Sequence, residues 1–253
     1  MRTDIAHNAR VWNHWLGGKD NYPVDRAVGD GITALYPGIG EVARADRAFL
    51  ARAVRYLAGE AGVRQFLDIG TGLPTADNTH EVAQRVAPDA RIVYVDNDPI
   101  VLTHARALLT SSPQGLTEYV DADAHRPDAI LSAVAPTLDL DRPVAVMMLG
   151  ILNFVMDTDE ARSIVRTLMD AVPSGSFLAL THPTLELGGE GNAEAMDFWN
   201  KNATPPITAR SRAEFTSFLD GLEILDPGVV SCASWRFAPA TEVAQFGAVA
   251  RKP

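Results

Sequence analysis

The stretch Gln65-Phe66-Leu67-Asp68-Ile69-Gly70-Thr71-Gly72-Leu73-Pro74 decides the fold. Phe66, Leu67 and Ile69 make a short apolar run of strand type, which leads straight into a turn with glycine at 70 and 72. Glycine permits positive φ and lets a ligand approach the backbone with no Cβ in the way. Helical periodicity follows from about Asn78 to Val86. Strand, glycine turn and helix, in that order, open a nucleotide-binding α/β unit whose ligand sits at the carboxyl end of the first strand.

Arg91-Ile92-Val93-Tyr94-Val95-Asp96-Asn97-Asp98 reads as a second buried strand ending in an acid. A carboxylate at that tip can accept both hydroxyls of a ribose. Asp96 follows Gly70 by somewhat more than the roughly 20 residues of the usual fingerprint, which fits a long turn from Leu73 to Asn78. The first turn then narrows the choice of nucleotide. Thr75 stands where a G-x-G-x-x-G frame needs its third glycine, a departure from the nicotinamide fingerprint. Asp68, just before the turn, would repel a pyrophosphate but attract an ammonium or sulfonium group. S-adenosylmethionine carries both cations, has no phosphate, and offers a ribose to Asp96.

Composition excludes several classes. The chain has 253 residues, enough for one domain with a short extension, and its 47% hydrophobic and 21% charged content is that of a globular protein. A formal charge of −10 without a Lys/Arg cluster argues against a nucleic-acid partner. The single cysteine, Cys232, excludes an internal disulfide and a cysteine-rich zinc site, and no His/carboxylate group has metal-ligand spacing. Residues 1–13 lack the apolar core of a signal peptide. The uncharged run Pro143 to Met156 is too short to span a membrane. A cytoplasmic location is expected.

Taken in order, Ile5, Val11, Trp12, Trp15 and Leu16 predict an amphipathic helix capped by Asp4 and stopped by Gly17-Gly18. Further helices are expected from Val24 to Leu35 and from Glu41 to Ala58. These three could form a lid over the ligand or simply cover one sheet face. After Asp96 the pattern predicts a helix from Pro99 to Leu109, a strand at 117–121, a helix at 128–134, a strand at 143–148, a helix from Asp157 to Val172 and a strand at 176–180. Asp123 at the tip of the third strand can accept from an adenine amino group, or serve as a turn aspartate. Thr181-His182-Pro183 would follow the fifth strand as a turn. Helices at 192–202 and 211–219 come next, then strands at 222–225, 229–232 and 245–250. The last strands lack helical connections, which predicts an antiparallel edge.

This arrangement resembles the Rossmann-like class I S-adenosylmethionine-dependent methyltransferases. More narrowly it resembles the actinobacterial S-adenosyl methyltransferase family, long treated as a domain of unknown function. The match is carried by Ala9-Arg10-Val11-Trp12, Leu16-Gly17-Gly18-Lys19-Asp20-Asn21 and Asp46-Arg47-Ala48-Phe49. Gln65 through Thr75, Tyr94 through Pro99 and Asp226-Pro227-Gly228 extend it nearly end to end. The resemblance implies a seven-stranded, mostly parallel sheet of order 3-2-1-4-5-7-6 with strand 7 antiparallel and helices on both faces. The chain is expected to divide into an N-terminal helical cap over 1–60 and a Rossmann-like S-adenosylmethionine-binding domain over 61–253. The resemblance assigns Asp68, Gly70, Thr71 and Gly72 to the methionine part of the cofactor and Asp96 to the ribose. Asn97 would lie beside the adenine, Asp123 and Ala124 at its edge, and Leu149 and Gly150 near the methionine amine. Pro74 departs from the common G-x-G-x-G pattern.

Methyl transfer from a sulfonium is an in-line displacement. It needs a base only when the acceptor must lose a proton. His182, expected at the ligand edge after the fifth strand, is the candidate base, and a histidine satisfying a turn is the alternative. His14 is a weaker candidate. Asn153 is followed by Phe154-Val155, which rules out the proline-aromatic motif of DNA and protein-amide methyltransferases. The expected function is methyl transfer from S-adenosyl-L-methionine to a small-molecule acceptor. The alternatives are a non-catalytic module that binds S-adenosylmethionine or S-adenosylhomocysteine, and a nicotinamide-dependent oxidoreductase.

Overall fold

The structure is a computed structural model that describes residues 4–108, 110–237 and 241–253. It begins with β1 (Ala6–His7), α1 (Asn8–Trp15), α2 (Pro23–Leu35) and α3 (Ile39–Gly59). An alternating section follows: β2 (Gln65–Ile69), α4 (Thr79–Val86), β3 (Arg91–Asp96), α5 (Pro99–Leu108), β4 (Leu116–Asp121), α6 (Pro127–Val134), β5 (Ala145–Leu149), α7 (Thr158–Asp170) and β6 (Phe177–Pro183). It closes with α8 (Asn192–Asn202), β7 (Ala203–Thr204), α9 (Arg212–Ser217), β8 (Glu223–Ile224), β9 (Val230–Ser231) and β10 (Gln245–Arg251). Leu109, the expected end of the helix that begins at Pro99, lies outside the described residues.

Strands β2 to β6 run parallel in the order β4-β3-β2-β5-β6, and β10 joins β6 antiparallel. The sheet has eight strands, where the resemblance implied seven. The turn Asp226-Pro227-Gly228 separates β8 from β9, the two strands expected at 222–225 and 229–232. These do not pair with each other as a hairpin; both lie along the outer edge of β10.

Strand alternation divides the core in two. Phe66, Ile92, Tyr94, Met147 and Ala179 face α2, α3, α4 and α8. Leu67, Val93, Val95, Met148 and Leu180 face α6, α7 and α9. Both faces are buried, so these strands read as nearly continuous apolar runs. Among the described residues, no helix is long and apolar enough to cross a membrane.

The N-terminus departs from its expected helix. Ala6 and His7 pair in parallel with Ala203 and Thr204, and α1 starts only at Asn8. Asp25, fully buried, explains the arrangement. It accepts from the His7 and Tyr22 amides at 3.0 and 2.8 Å and from Arg10 Nε at 2.8 Å. One carboxylate thereby fixes the starts of both α1 and α2, and the Arg10 guanidinium offsets its burial. The β1–β7 ladder joins this N-terminal segment to the chain following α8.

Candidate functional site

A cavity of about 550 Å³ opens at the carboxyl ends of β2 to β5, beneath α1, α2, α3 and α8. All the expected cofactor residues line it. Asp68, Gly70, Thr71 and Gly72 come from the end of β2, and Asp96 and Asn97 from β3. Asp123 and Ala124 come from the segment after β4, and Leu149 and Gly150 from the end of β5.

The first turn is latched to the second strand. Gly70 N–H donates to the Val95 carbonyl at 2.8 Å, and Gly72 N–H donates to Asp96 Oδ2 at 2.9 Å. Asp98 N–H donates to Asp96 Oδ1, also at 2.9 Å. Both Asp96 oxygens are thus oriented by backbone, and each keeps acceptor capacity for a hydroxyl. Gly70 has φ +78, and a Cβ there would meet Ile151 Cδ1 at 2.6 Å. Gly72 (φ +67) and Gly150 (φ +60) have nothing within 4 Å of a Cβ position. The backbone at these two positions therefore faces open space in the cavity, a cradle that side chains would fill.

The cavity is rich in carboxylates. Asp68 is buried and accepts from Thr79 Oγ1 at 2.6 Å. Burial pushes it up to about 6, opposed by the Thr79 bond and the Arg47 charge and reinforced by Asp96 and Asp46. Burial also raises Asp96, against the Asp98 and Gly72 amides. Asp46, on α3, is raised by burial although Thr181 Oγ1 and Gln245 Nε2 both donate to its Oδ1 at 2.6 Å. Three carboxylates, Asp46 and Asp68 buried and Asp96 half-buried, suit a ligand carrying an ammonium and a sulfonium. With the glycine cradle and the oriented Asp96, the residues fit S-adenosylmethionine.

Several lining residues were not singled out as site residues from the sequence. Asp46 interrupts the apolar stripe of Val42, Phe49, Leu50 and Ala53 on α3, a polar residue at a core position, and that signal could have found it. Arg47 Nη2 donates to the carbonyls of Ala76 and Asp77 at 3.1 and 3.0 Å, holding the loop after the glycine turn. His7 lines the cavity with Nδ1 3.1 Å from Asp98 Oδ2. Asn8 and Asn153 also line it, each with a buried side-chain oxygen that has no hydrogen-bond partner. An orphan amide carries no local sequence signal.

His182 is a correction. It does not line the cavity and is fully buried. β6 runs on through Pro183, paired to β10 with His182 opposite Phe246, where the sequence suggested a turn. Alternation then sends Thr181 to the cavity side and His182 to the opposite layer, with Leu178 and Leu180. Its Nδ1 is 2.8 Å from the Pro183 carbonyl and its Nε2 2.7 Å from Arg210 Nη1. Nδ1–H therefore donates to the carbonyl, while Nε2 accepts from the guanidinium. Burial, with the Arg210 charge adding to it, lowers its pKa to about 4 despite the Pro183 bond. This is a neutral structural histidine, not a base facing a substrate. His14, the weaker candidate, also lies outside the cavity and pairs with Asp30 at 2.8 Å.

A sequence model described as S-adenosyl methyltransferase matches residues 1–253. The chain belongs to the S-adenosyl methyltransferase family. Its cofactor is S-adenosyl-L-methionine. A DUF574 family protein of Streptomyces avermitilis MA-4680, solved as a crystal structure, is 45% identical, with 99% of each chain covered and a TM-score of 0.94. A candidate methyltransferase from Thermobifida fusca YX is 38% identical, covering 99% of this chain and 97% of that one, with a TM-score of 0.90. The N-methyltransferase NodS of Bradyrhizobium japonicum WM9 shares the fold at 14% identity and a TM-score of 0.52, over 84% of this chain and 97% of that one. No curated protein matches by sequence. The fold is thus that of the class I methyltransferases, as the resemblance implied.

Proposed function

We propose that this member of the family transfers a methyl group from S-adenosyl-L-methionine to a small-molecule acceptor held in the same cavity. One observation carries the reading. The glycine cradle and the carboxylates of Asp68 and Asp96 meet in a cavity that continues past them under α1, α2 and α8. About 550 Å³ falls within the roughly 300–1,000 Å³ of small-molecule sites.

The cofactor supplies an already activated methyl group on its sulfonium. The chain's part is then to bind and orient. Asp68 holds the ammonium end, with Thr71, Gly72, Leu149 and Gly150 around it. Asp96 takes the ribose hydroxyls, Asn97 lies along the adenine, and Asp123 and Ala124 meet its edge. Residues 1–60 act as the cap and 61–253 as the cofactor-binding unit. Holding two reactants in line supplies on the order of 7–11 kcal/mol in favourable intramolecular cases, so transfer to a neutral amine, or to a hydroxyl that gives its proton to water, requires no dedicated base. The free, buried Cys232 suits a reducing, cytoplasmic setting.

The test is incubation with S-adenosylmethionine labelled in the methyl group and an actinobacterial cell extract, followed by separation into low-mass, protein and RNA fractions. Label in the low-mass fraction is expected. Label in protein or RNA would replace the small-molecule acceptor. Cofactor binding without label in any fraction would leave a non-catalytic binding module.

A further inference from the structure

The acceptor itself leaves marks on the cavity wall. We infer that the part walled by α1, α2 and α8 receives a flat aromatic acceptor without negative charge, whose hydroxyl or amino group is held by the Asn153 carboxamide. This rests on the methyl-transfer reading and deepens it.

The walls are aromatic. Trp12, Trp15, Tyr36, Phe154, Met196 and Trp199 line this part. The Trp15 ring lies 5.8 Å from Trp12 and 6.4 Å from Trp199, edge-on and tilted respectively. The indole N–H groups of Trp15 and Trp199 are spent on the carbonyls of Gly29 and Pro205, at 3.2 and 2.9 Å. Their ring carbons are what remain for a ligand, and such walls favour aromatic partners through offset or edge contacts.

The charge selects against anions. Asp46, Asp68, Asp96 and Asp123 all line the cavity. The basic groups among its described lining residues are Arg47, His7 and His125, and each already faces a carbonyl or a carboxylate. Arg47 holds two loop carbonyls, His125 Nδ1 lies 2.8 Å from Asp123 Oδ1, and His7 lies beside Asp98. A carboxylate or phosphate on the acceptor would be desolvated with no uncommitted cation to meet it.

Asn153 supplies the polar contact. It sits on the 3-10 turn Leu152–Phe154 after β5 and is 6% exposed. Its backbone carbonyl accepts from Thr208 N–H at 2.9 Å, which fixes the residue. Its Oδ1 is buried without a partner. Buried polar atoms in folded proteins are nearly always satisfied; this oxygen lies just behind the cavity surface, and a turn of the carboxamide about its Cβ–Cγ bond brings it to a donor on the acceptor. Asn153 is therefore a positioning residue, separate from the cofactor contacts.

The experiment uses the full-length protein saturated with S-adenosylhomocysteine and follows three probes by ligand-observed NMR: 2-naphthol, its methyl ether and 2-naphthoate. We expect 2-naphthol to bind about tenfold or more tighter than 2-naphthoate, a gap of about 1.4 kcal/mol, and several-fold tighter than the ether. In Asn153→Leu, and in Asn153→Ala as a second variant, the naphthol–ether gap should vanish while S-adenosylhomocysteine affinity stays unchanged. Naphthoate binding as tightly as naphthol would overturn the inference, and so would a gap that survives in both variants. Absence of any naphthyl binding on the loaded protein would overturn it too. Failure of wild-type protein to bind S-adenosylhomocysteine would instead strike the methyl-transfer reading on which it rests.

Discussion

Replacing Asp68 by asparagine should move stability and cofactor binding in opposite directions. The side chain keeps its shape, and an amide oxygen can still accept from Thr79 Oγ1, 2.6 Å away in the native protein. What is lost is one buried negative charge. Its carboxyl is raised by burial from an ordinary 3.8 to about 6. At 1.36 kcal/mol per unit, the ionised form costs the ligand-free fold on the order of 3 kcal/mol at neutral pH. The sign follows from linkage. The folded state binds this proton more tightly than the unfolded state, so the penalty is full above about pH 6 and fades as pH falls towards 4. Asp68→Asn removes it, and the ligand-free melting temperature should rise by several degrees, at roughly 2–4 °C per kcal/mol for a chain of this size. Cofactor binding runs the other way, because it needs the ionised carboxylate. Truncating one partner of a buried charge pair costs about 2–5 kcal/mol. Asp46 and Asp96 remain nearby, so the lower end applies: a loss of about 2–3 kcal/mol, or roughly 30- to 150-fold in Kd. Wild-type affinity should also fall about tenfold between pH 7 and pH 5, and the variant should lose that dependence. Calorimetric titration with S-adenosylmethionine at several pH values, beside thermal melts without ligand, reads both quantities. Unchanged affinity in Asp68→Asn, or a lowered ligand-free melting temperature, would refute the electrostatic reasoning.

Asp96→Ala removes both ribose acceptors and frees the Gly72 and Asp98 amides that the carboxylate holds. With charged hydrogen bonds worth about 1.5–3 kcal/mol each, Kd for S-adenosylhomocysteine should rise at least about 100-fold, and calorimetry would expose a smaller effect. His182→Ala leaves a void and takes the Nε2 acceptor from Arg210. It should destabilise by about 2–4 kcal/mol in denaturant melts while S-adenosylhomocysteine affinity is retained; a lost methyl-transfer rate in a fully stable variant would restore it as a base. Gly70→Val sets a β-branched residue at φ +78 with its Cβ 2.6 Å from Ile151. Reduced soluble yield and a lowered melting temperature are expected; a normally stable Gly70→Val protein would contradict the tight turn.

The parts of the site that were legible in the sequence are those written locally. Asp68, Gly70 and Gly72 lie at one strand end, and Asp96 at another. A buried parallel strand ending in an acid or a glycine turn marks its place on the cavity wall within ten residues. Alternation also encoded the two faces of the sheet, and it held the answer for His182. Phe177, Ala179 and Thr181 face one way, Leu178, Leu180 and His182 the other. Ending the strand at Leu180 hid this, because Pro183 looks like a stop, yet its missing N–H is tolerated at the last residue of β6. The Arg210 contact could not be read, since it arises only when a segment 28 residues away folds back over β6. The same holds for Asp25, which organises the N-terminus through partners 3 to 18 positions distant.

The central claim is that this cavity binds S-adenosylmethionine through Asp68 and Asp96. The most direct test is calorimetric titration of the wild-type protein and Asp96→Ala with S-adenosylhomocysteine, alongside NADH. Micromolar one-to-one binding of S-adenosylhomocysteine to wild type, about −8 kcal/mol, is expected, with loss in the variant and no response to NADH. Equal binding by wild type and Asp96→Ala, or binding of NADH alone, would contradict it.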